Sequence, residues 1–321
     1  MRDTEIPRPQ EDPQARNGIV AMLDVLGYQS FLEHNPASRQ VGAILKALTE
    51  APRAARAEIA GLAVKGLGKF INMDELRTLV FADTILVVLP APPEEPPAWR
   101  GLRWSMFLLV VGKIYSDLFR CGFPLRGAIS VGDVVVYEMC FAGQPFLDAY
   151  KLAQEIDAAL CALTRSASHE VVSLCHRLRT SPVSPLFYPN TTESDVGERA
   201  AEEARIISTA QATLLERQAP EYRIPRKSGD NEMLCLVTSF LAKDAFPCAG
   251  DDIGQLVRDP FSRYGRALTP DAIRKASHTE AMLRYALSQR ERDAQEAQPC
   301  IQTRGVDGPV DPDTSVVALA T

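Results

Sequence analysis

Apolar positions along this chain switch repeatedly between period-two and helical spacing. Residues 18–26 (GIVAMLDVL) are a short apolar run rich in β-branched residues, which predicts a buried strand ending near Asp24, with Gly27 leaving the backbone room to turn. Helical spacing follows over 28–32 and 37–58, where Val41, Ile44, Leu45 and Leu48 form one stripe. ELRTLVF (75–81) and TILVVL (84–89) are separated only by Ala82 and Asp83, which predicts a hairpin. PAPPEEPP (90–97) cannot continue a strand ladder and predicts a surface loop. The remaining pattern predicts a helix over 102–119 and a second hairpin, 125–131 with 134–137, around Gly132-Asp133; a helix over 147–163, a strand over 170–174 and a helix over 196–216 follow. Strands over 221–226 and 233–239 flank Lys227-Ser228-Gly229-Asp230, and Thr269 caps a helix that starts at Pro270 and runs to about Ala294.

This order predicts an α+β fold in which an antiparallel sheet is covered on one face by helices, and not the strand-helix alternation of a doubly wound sheet. Residues 1–16, with Pro7, Pro9, Pro13 and many charges, predict a flexible arm, and 299–321 a flexible tail. Between them the expected units are a main domain over 17–245 and a C-terminal helical extension over 246–298. With 46% hydrophobic and 24% charged residues, the 321-residue chain can bury a sizeable core. Its net charge of −6 argues against a nonspecific nucleic-acid binder or a partner of anionic membranes. No stretch has the form of a signal peptide or a membrane span, so the expected location is the cytoplasm. Seven scattered cysteines without a CxxC pair predict idle or buried thiols.

Two acids stand where a nucleotide–metal site would want them: Asp24 at the end of the first strand and Asp83 at the tip of the following hairpin. On neighbouring strands both carboxylates would project from one sheet edge and could hold one or two divalent ions. The plainer alternatives are a helix N-cap for Asp24 and a turn former for Asp83. Leu26-Gly27-Tyr28-Gln29 opens a helix, and amides at a helix N-terminus can seat phosphate oxygens. The sequence has no P-loop, no GxGxxG, no HExxH and no GxSxG. His34, His169, His176 and His278 are dispersed and read as structural.

LDVLGY (23–28), FADTILVV (81–88), LRGAISVGDVVV (125–136) and FAGQPFLDAYKLA (141–153), in that order, resemble the catalytic core of the class III nucleotidyl cyclases; more closely, they are similar to the bacterial pyrimidine cyclases of Pycsar anti-phage defence. The resemblance implies a ferredoxin-type antiparallel sheet packed with helices, in a head-to-tail homodimer with two sites at the interface. It implies two Mg2+ or Mn2+ ions per site on Asp24, Asp83 and the carbonyl of Val25, beside the helix start at Leu26, Gly27 and Tyr28 already read as a seat for phosphate. Arg126 matches an arginine that contacts the terminal phosphates, its plain alternative being a strand-edge cation. Lys227 resembles a phosphate-binding lysine that the partner subunit supplies; a solvated lysine in a polar turn is the alternative.

Two departures from the purine cyclases stand out. Where those enzymes read the base with a Lys and an Asp or comparable polar residue, this chain has Leu79 and Cys140. Leucine makes no hydrogen bond and a thiol makes weak ones, so recognition of adenine in the usual manner is not supported. Arg77, two residues before Leu79 and on the same strand face, is the candidate for a pyrimidine carbonyl. Where the purine enzymes carry Asn and Arg four apart on a helix, this chain has Leu147 and Lys151. Lys151 is the candidate to neutralise charge on the reacting phosphate, or else an exposed helix cation. The resemblance implies conversion of UTP to 3′,5′-cyclic UMP and pyrophosphate, with cyclic CMP from CTP as the alternative, and a product that activates a separate effector. A catalytically degenerate nucleotide-binding or dimerisation module is the rival.

Overall fold

The computed structural model describes residues 15–35, 39–64, 75–92, 94–137, 140–180, 198–229, 231–236, 252–266 and 268–297. Strand β1 (Ala15–Val25) leads through α1 (Tyr28–His34) and α2 (Arg39–Val64) to the hairpin of β2 (Arg77–Phe81) and β3 (Thr84–Pro90). Then come α3 (Pro97–Arg120), β4 (Leu125–Tyr137), β5 (Cys140–Ala142), α4 (Gln144–Glu155), β6 (Cys161–Leu163), α5 (Arg165–Thr180) and α6 (Glu198–Gln218). A second hairpin, β7 (Glu221–Ile224) with β8 (Asn231–Leu234), precedes α7 (Ile253–Ser262) and α8 (Pro270–Ala297). The fold is α+β, as the element order implies.

The main sheet runs β2-β3-β1-β4-β5, antiparallel throughout, and β6 joins β4 in parallel, so the sheet is mixed and not purely antiparallel. Side chains alternate along β1. Ile19, Ala21 and Leu23 enter the main core, which also buries Trp104 and Phe107 of α3. Val20 enters a separate cluster with Val88, Val134 and Phe146 of α4. Successive side chains of a strand face opposite ways, so α4 overlies the second face. Helices therefore lie on both faces, not one. Among the described residues no helix is long and apolar enough to cross a membrane.

Several boundaries differ from the pattern reading. Gly132-Asp133 is not a turn: Gly132 pairs with Gly18 and Asp133 with Asn17, so β4 continues through them, and the hairpin forms later, between β4 and β5. The partner that straightens them is β1, which starts at Ala15, so the last two residues of the expected arm pair with Val135 and Val134. The expected helix over 147–163 ends at Glu155, and Cys161–Leu163 pairs with Gly127–Ile129 instead. Residues 158–163 are wholly buried, and this continuous apolar run carries no period to tell strand from helix. The expected strand over 170–174 lies inside α5, whose Ala167, Val171, Leu174, Cys175 and Leu178 form a helical stripe toward the core. Helix α7, which the pattern reading did not separate, is capped by Asp252 through the backbone N–H of Gln255. Residues 237–239 of an expected strand, the boundary at 245–246 and the tail over 299–321 lie outside the described residues.

Candidate active site

Asp24 sits in β1 with Thr84 of β3 on one side and Arg126 of β4 on the other. By alternation it shares the second sheet face with Val20, and it is buried to 8% exposure. Arg126 donates from Nε and Nη2 to the same oxygen, Oδ2 of Asp24, at 3.0 and 2.9 Å. Its Nη2 also donates to Oε1 of Gln154 at the end of α4, at 2.8 Å. The guanidinium expected on terminal phosphates is thus held against a candidate metal acid.

Asp83 occupies the two-residue tip between β2 and β3, where Ala82 takes a left-handed φ of 52°. The backbone N–H of Val25 donates to the Asp83 carbonyl at 3.1 Å, which fixes the tip to the end of β1. The two acids are neighbours: burial raises the pKa of Asp83, and the nearby Asp24 carboxyl raises it further. Arg126 opposes that rise with its positive charge. Asp24 lies within a strand and Gly27 is the N-cap of α1, which removes the capping alternative for Asp24; Asp83 does sit in the turn, as its plain alternative has it, and lies beside Asp24 from there.

Two carboxylates and a backbone carbonyl are all hard oxygen donors, the set that suits Mg2+ or Mn2+ shared with substrate phosphates. The closeness of like charges is what a divalent cation would relieve. Among the described residues no group of three or more His, Cys, Asp or Glu side chains is placed to cage a metal. A site that shares its ion with a phosphate ligand does not need one.

Beyond Val25 the chain turns through Gly27, which is left-handed at φ 75°. The Leu26 amide donates to the Pro124 carbonyl at 2.8 Å, so it is not available to phosphate, contrary to the expectation for an open helix N-terminus. Gly27 is exposed and Tyr28, half-buried, stacks on Phe31. The Leu26 carbonyl accepts from Nη1 of Arg266 at 3.1 Å. Arg266 is 6% exposed, and burial lowers its pKa to about 10, so it remains charged at neutral pH.

The other candidates are spread around this centre. Arg77 pairs with Val88 and Leu79 with Leu86, which puts both on the Asp24 face, Arg77 exposed on the edge strand β2. Cys140 is exposed in β5 at the opposite sheet edge, paired with Tyr137 and so on the other face. Within one chain Leu79 and Cys140 do not converge. Lys151 is exposed on α4, on the stripe that carries Leu147 at one end and Gln154 at the other. The exposed turn bearing Lys227 is docked on the end of α4, the Lys227 amide donating to the Glu155 carbonyl at 2.9 Å. Buried Cys161, Cys175 and Cys235 have raised pKa values, the last two at about 11 and 12, as idle thiols should.

Gln154 and Arg266 were not singled out from the sequence. Gln154 follows Leu147 and Lys151 by seven and three residues, so helical periodicity alone puts it on their stripe. Arg266 lies 240 residues from Leu26 and no local signal links them.

No family model matches this chain, and no curated protein matches it. Among solved structures, the chain is similar to the adenylyl cyclase CyaB from P. aeruginosa at 16% identity and a TM-score of 0.32, over 51% of this chain and 83% of that one. It is similar to a bacterial light-regulated adenylyl cyclase at 12% identity and a TM-score of 0.32, over 49% of this chain and 46% of that one. It is similar to a class III adenylyl cyclase-like ATP-binding protein from Pseudomonas aeruginosa at 13% identity and a TM-score of 0.32, over 63% of this chain and 44% of that one. The matched region thus spans less than half of the last two chains.

Proposed function

We propose that this chain is a nucleotidyl cyclase that converts UTP to 3′,5′-cyclic UMP and pyrophosphate. The observation that carries the proposal is the juxtaposition of Asp24, on β1, with Asp83, at the β2–β3 tip that the Val25 amide ties to the end of β1, beside Arg126. Bound between those carboxylates and the Val25 carbonyl, Mg2+ or Mn2+ would lower the pKa of the 3′-hydroxyl and offset charge on the phosphates. The 3′-oxygen forms its bond to the α-phosphorus as the bond to pyrophosphate breaks, and the hydroxyl proton leaves to water. Asp24 and Asp83 hold the ions, Arg126 fixes Asp24, and Lys227 and Lys151 are the cations for the triphosphate. Gly27 lets the backbone of Gly27 and Tyr28 approach it without a Cβ.

A homodimer fits the exposed apolar side chains near this face: Phe81 beside the hairpin tip is 76% exposed, and Leu147 and Tyr150 on α4 are 53% and 48% exposed. Base selection at Leu79 and Arg77 by one protomer, over metals held by the other, follows the arrangement the motif resemblance implies. The same resemblance supports a cytoplasmic role in anti-phage defence, with the cyclic nucleotide acting on a separate effector.

Incubating the purified protein with each of the four nucleoside triphosphates and Mn2+ tests the reading. Cyclic UMP is the expected main product, and cyclic CMP in excess would move the assignment to cytidylate cyclase. Equal yields of purine cyclic nucleotides would remove the pyrimidine assignment. Leu147 and Lys151, where purine cyclases carry Asn and Arg, favour the rival of a degenerate binding module; nucleotide binding without turnover of any of the four would establish it.

A further inference from the structure

The segment from α7 to α8 is docked against the elements that frame the two acids. Arg266 is its most buried cation, and its guanidinium is spent wholly on backbone carbonyls. Besides Leu26, it donates to Arg263 at 3.1 Å and makes short contacts to Gly122 and Pro260. One side chain therefore joins the turn after β1, the end of α3 and the C-terminal segment. Arg263 donates to the Arg120 carbonyl at 2.6 Å and the Tyr264 hydroxyl to Cys121 at 2.8 Å. The Tyr264 ring stacks on Phe123 and meets Phe31 of α1 edge-on.

Tyr264 takes a left-handed φ of 64°, a costly conformation for a bulky residue. Asn35, at the end of α1, donates to the Tyr264 carbonyl at 2.8 Å and to that of Phe31 at 2.9 Å. The unusual backbone thus occurs where the segment grips the helix that follows Gly27. Further along, Arg274 of α8 is paired with buried Asp157, two residues past α4, at 2.6 Å, and Thr279 accepts from the Ala159 amide at 2.8 Å. Asp157 in turn donates its amide to Pro225, two residues before Lys227.

Resting on the cyclase reading above, we infer that the α7–α8 segment is a built-in part of the catalytic centre. Arg266 is its positioning residue, holding the Leu26–Gly27 turn and, through it, the Val25 carbonyl in place for metal and triphosphate. The physical reason is local: Val25 and Leu26 share a peptide unit, so an anchor on the Leu26 carbonyl fixes the plane next to that of the Val25 carbonyl. Losing a partner bonded directly to a metal ligand costs about 10–100-fold in affinity; Arg266 acts one peptide further out, which sets the expectation at the lower end, about tenfold. A cleft of about 160 Å³ lined by Gly27, Ser30, Phe261, Arg266 and Lys275 opens beside the guanidinium, room for a small cation to replace it.

The test is Mn2+ binding to the full-length protein, followed by electron paramagnetic resonance of free Mn2+, with circular dichroism to check folding. Folded Arg266→Ala is expected to bind Mn2+ about tenfold more weakly than wild type. Guanidinium at millimolar concentration should recover much of that loss, while sodium chloride at equal ionic strength should not. Unchanged affinity in the folded variant, or recovery by sodium chloride as well, would overturn the inference. Should Arg266→Ala not fold, Arg266→Lys keeps the charge without the planar fork; wild-type affinity in that variant would overturn it equally. Wild-type protein that binds neither Mn2+ nor UTP would instead remove the cyclase reading, and this inference with it; wild-type binding with unaffected variants removes the inference alone.

Discussion

Arg126 places two donors on a single oxygen of Asp24, at 3.0 and 2.9 Å, and both side chains are nearly buried, at 13% and 12% exposure. The pairing is cross-strand and directly opposite in register, so the β1–β4 ladder itself holds the charges together. Truncating Arg126 would leave two neighbouring carboxyls without their counter-charge. Breaking a buried pair from one side costs about 3–5 kcal/mol; residual exposure puts Arg126→Ala near the lower end, about 3 kcal/mol. Chemical denaturation of the metal-free protein is the measurement. Adding Asp83→Asn should recover part of the loss, because one of the two like charges is then gone, and purely additive effects would exclude the coupling.

Asp83→Asn on its own should separate stability from chemistry. Its carboxyl is easier to protonate in the fold than in the unfolded chain, because burial and Asp24 disfavour its charge. The proton it holds therefore stabilises the metal-free fold fully below the ordinary carboxylate range, and that contribution is lost as pH rises through the raised value. At neutral pH the ionised side chain is a net liability. The amide variant should melt about 1–2 °C higher than wild type at pH 7.5 without metal, with no such gain at pH 3.5. Activity and Mn2+ binding should nevertheless be lost. A variant that melts lower at pH 7.5 would contradict the electrostatic account.

The same juxtaposition explains what could be read without coordinates. The strand ending near Asp24 and the hairpin around Asp83 were legible because each acid ends or bridges a short apolar run and a two-residue link forces β2 beside β3; the β1–β3 pairing that sets the two acids side by side carries no such local mark. Gly132-Asp133 misled because a turn-forming dipeptide has no turn to make when β1 extends far enough back to pair with it. Cys161–Leu163 misled because a wholly buried run has no polar beat to reveal its period. Arg266 was out of reach in principle: its partners at Leu26, Gly122 and Pro260 are backbone carbonyls, which every residue carries and no sequence marks.

Gly127 lies in β4 one residue from Arg126, and a Cβ there would stand 2.6 Å from the Met22 carbonyl and 2.5 Å from Cδ2 of Leu23. The leucine can rotate, but the carbonyl belongs to the β1 backbone. Gly127→Ala should therefore push β1 from β4 beside the Asp24–Arg126 pair. A destabilisation of about 1–3 kcal/mol is expected from the overpacking, with a disproportionate fall in kcat relative to KM for UTP as Arg126 is drawn off Asp24. Gly42→Ala, an exposed helical position where a Cβ meets nothing within 4 Å, is the control and should leave kcat and KM unchanged while raising stability by about 0.5–1 kcal/mol.

On the cyclase reading, Leu79 and Cys140 would stand where the purine enzymes carry two polar base readers, yet they occupy different sheet faces and opposite edges. Only Leu79, with Arg77, shares the face of Asp24, so it should dominate base choice. Leu79→Lys introduces a donor on that face and should lower the UTP-to-ATP ratio of kcat/KM by about tenfold, the order expected when one polar contact decides between bases. Arg77→Met should raise KM for UTP by removing a donor to a pyrimidine carbonyl, while the melting temperature stays put because the side chain is exposed. Cys140→Ser, with nearly the same volume and a stronger hydroxyl, should leave the ratio within about twofold. A large change at Cys140 with none at Leu79 would assign base recognition to the far edge, and with it to a different arrangement of protomers.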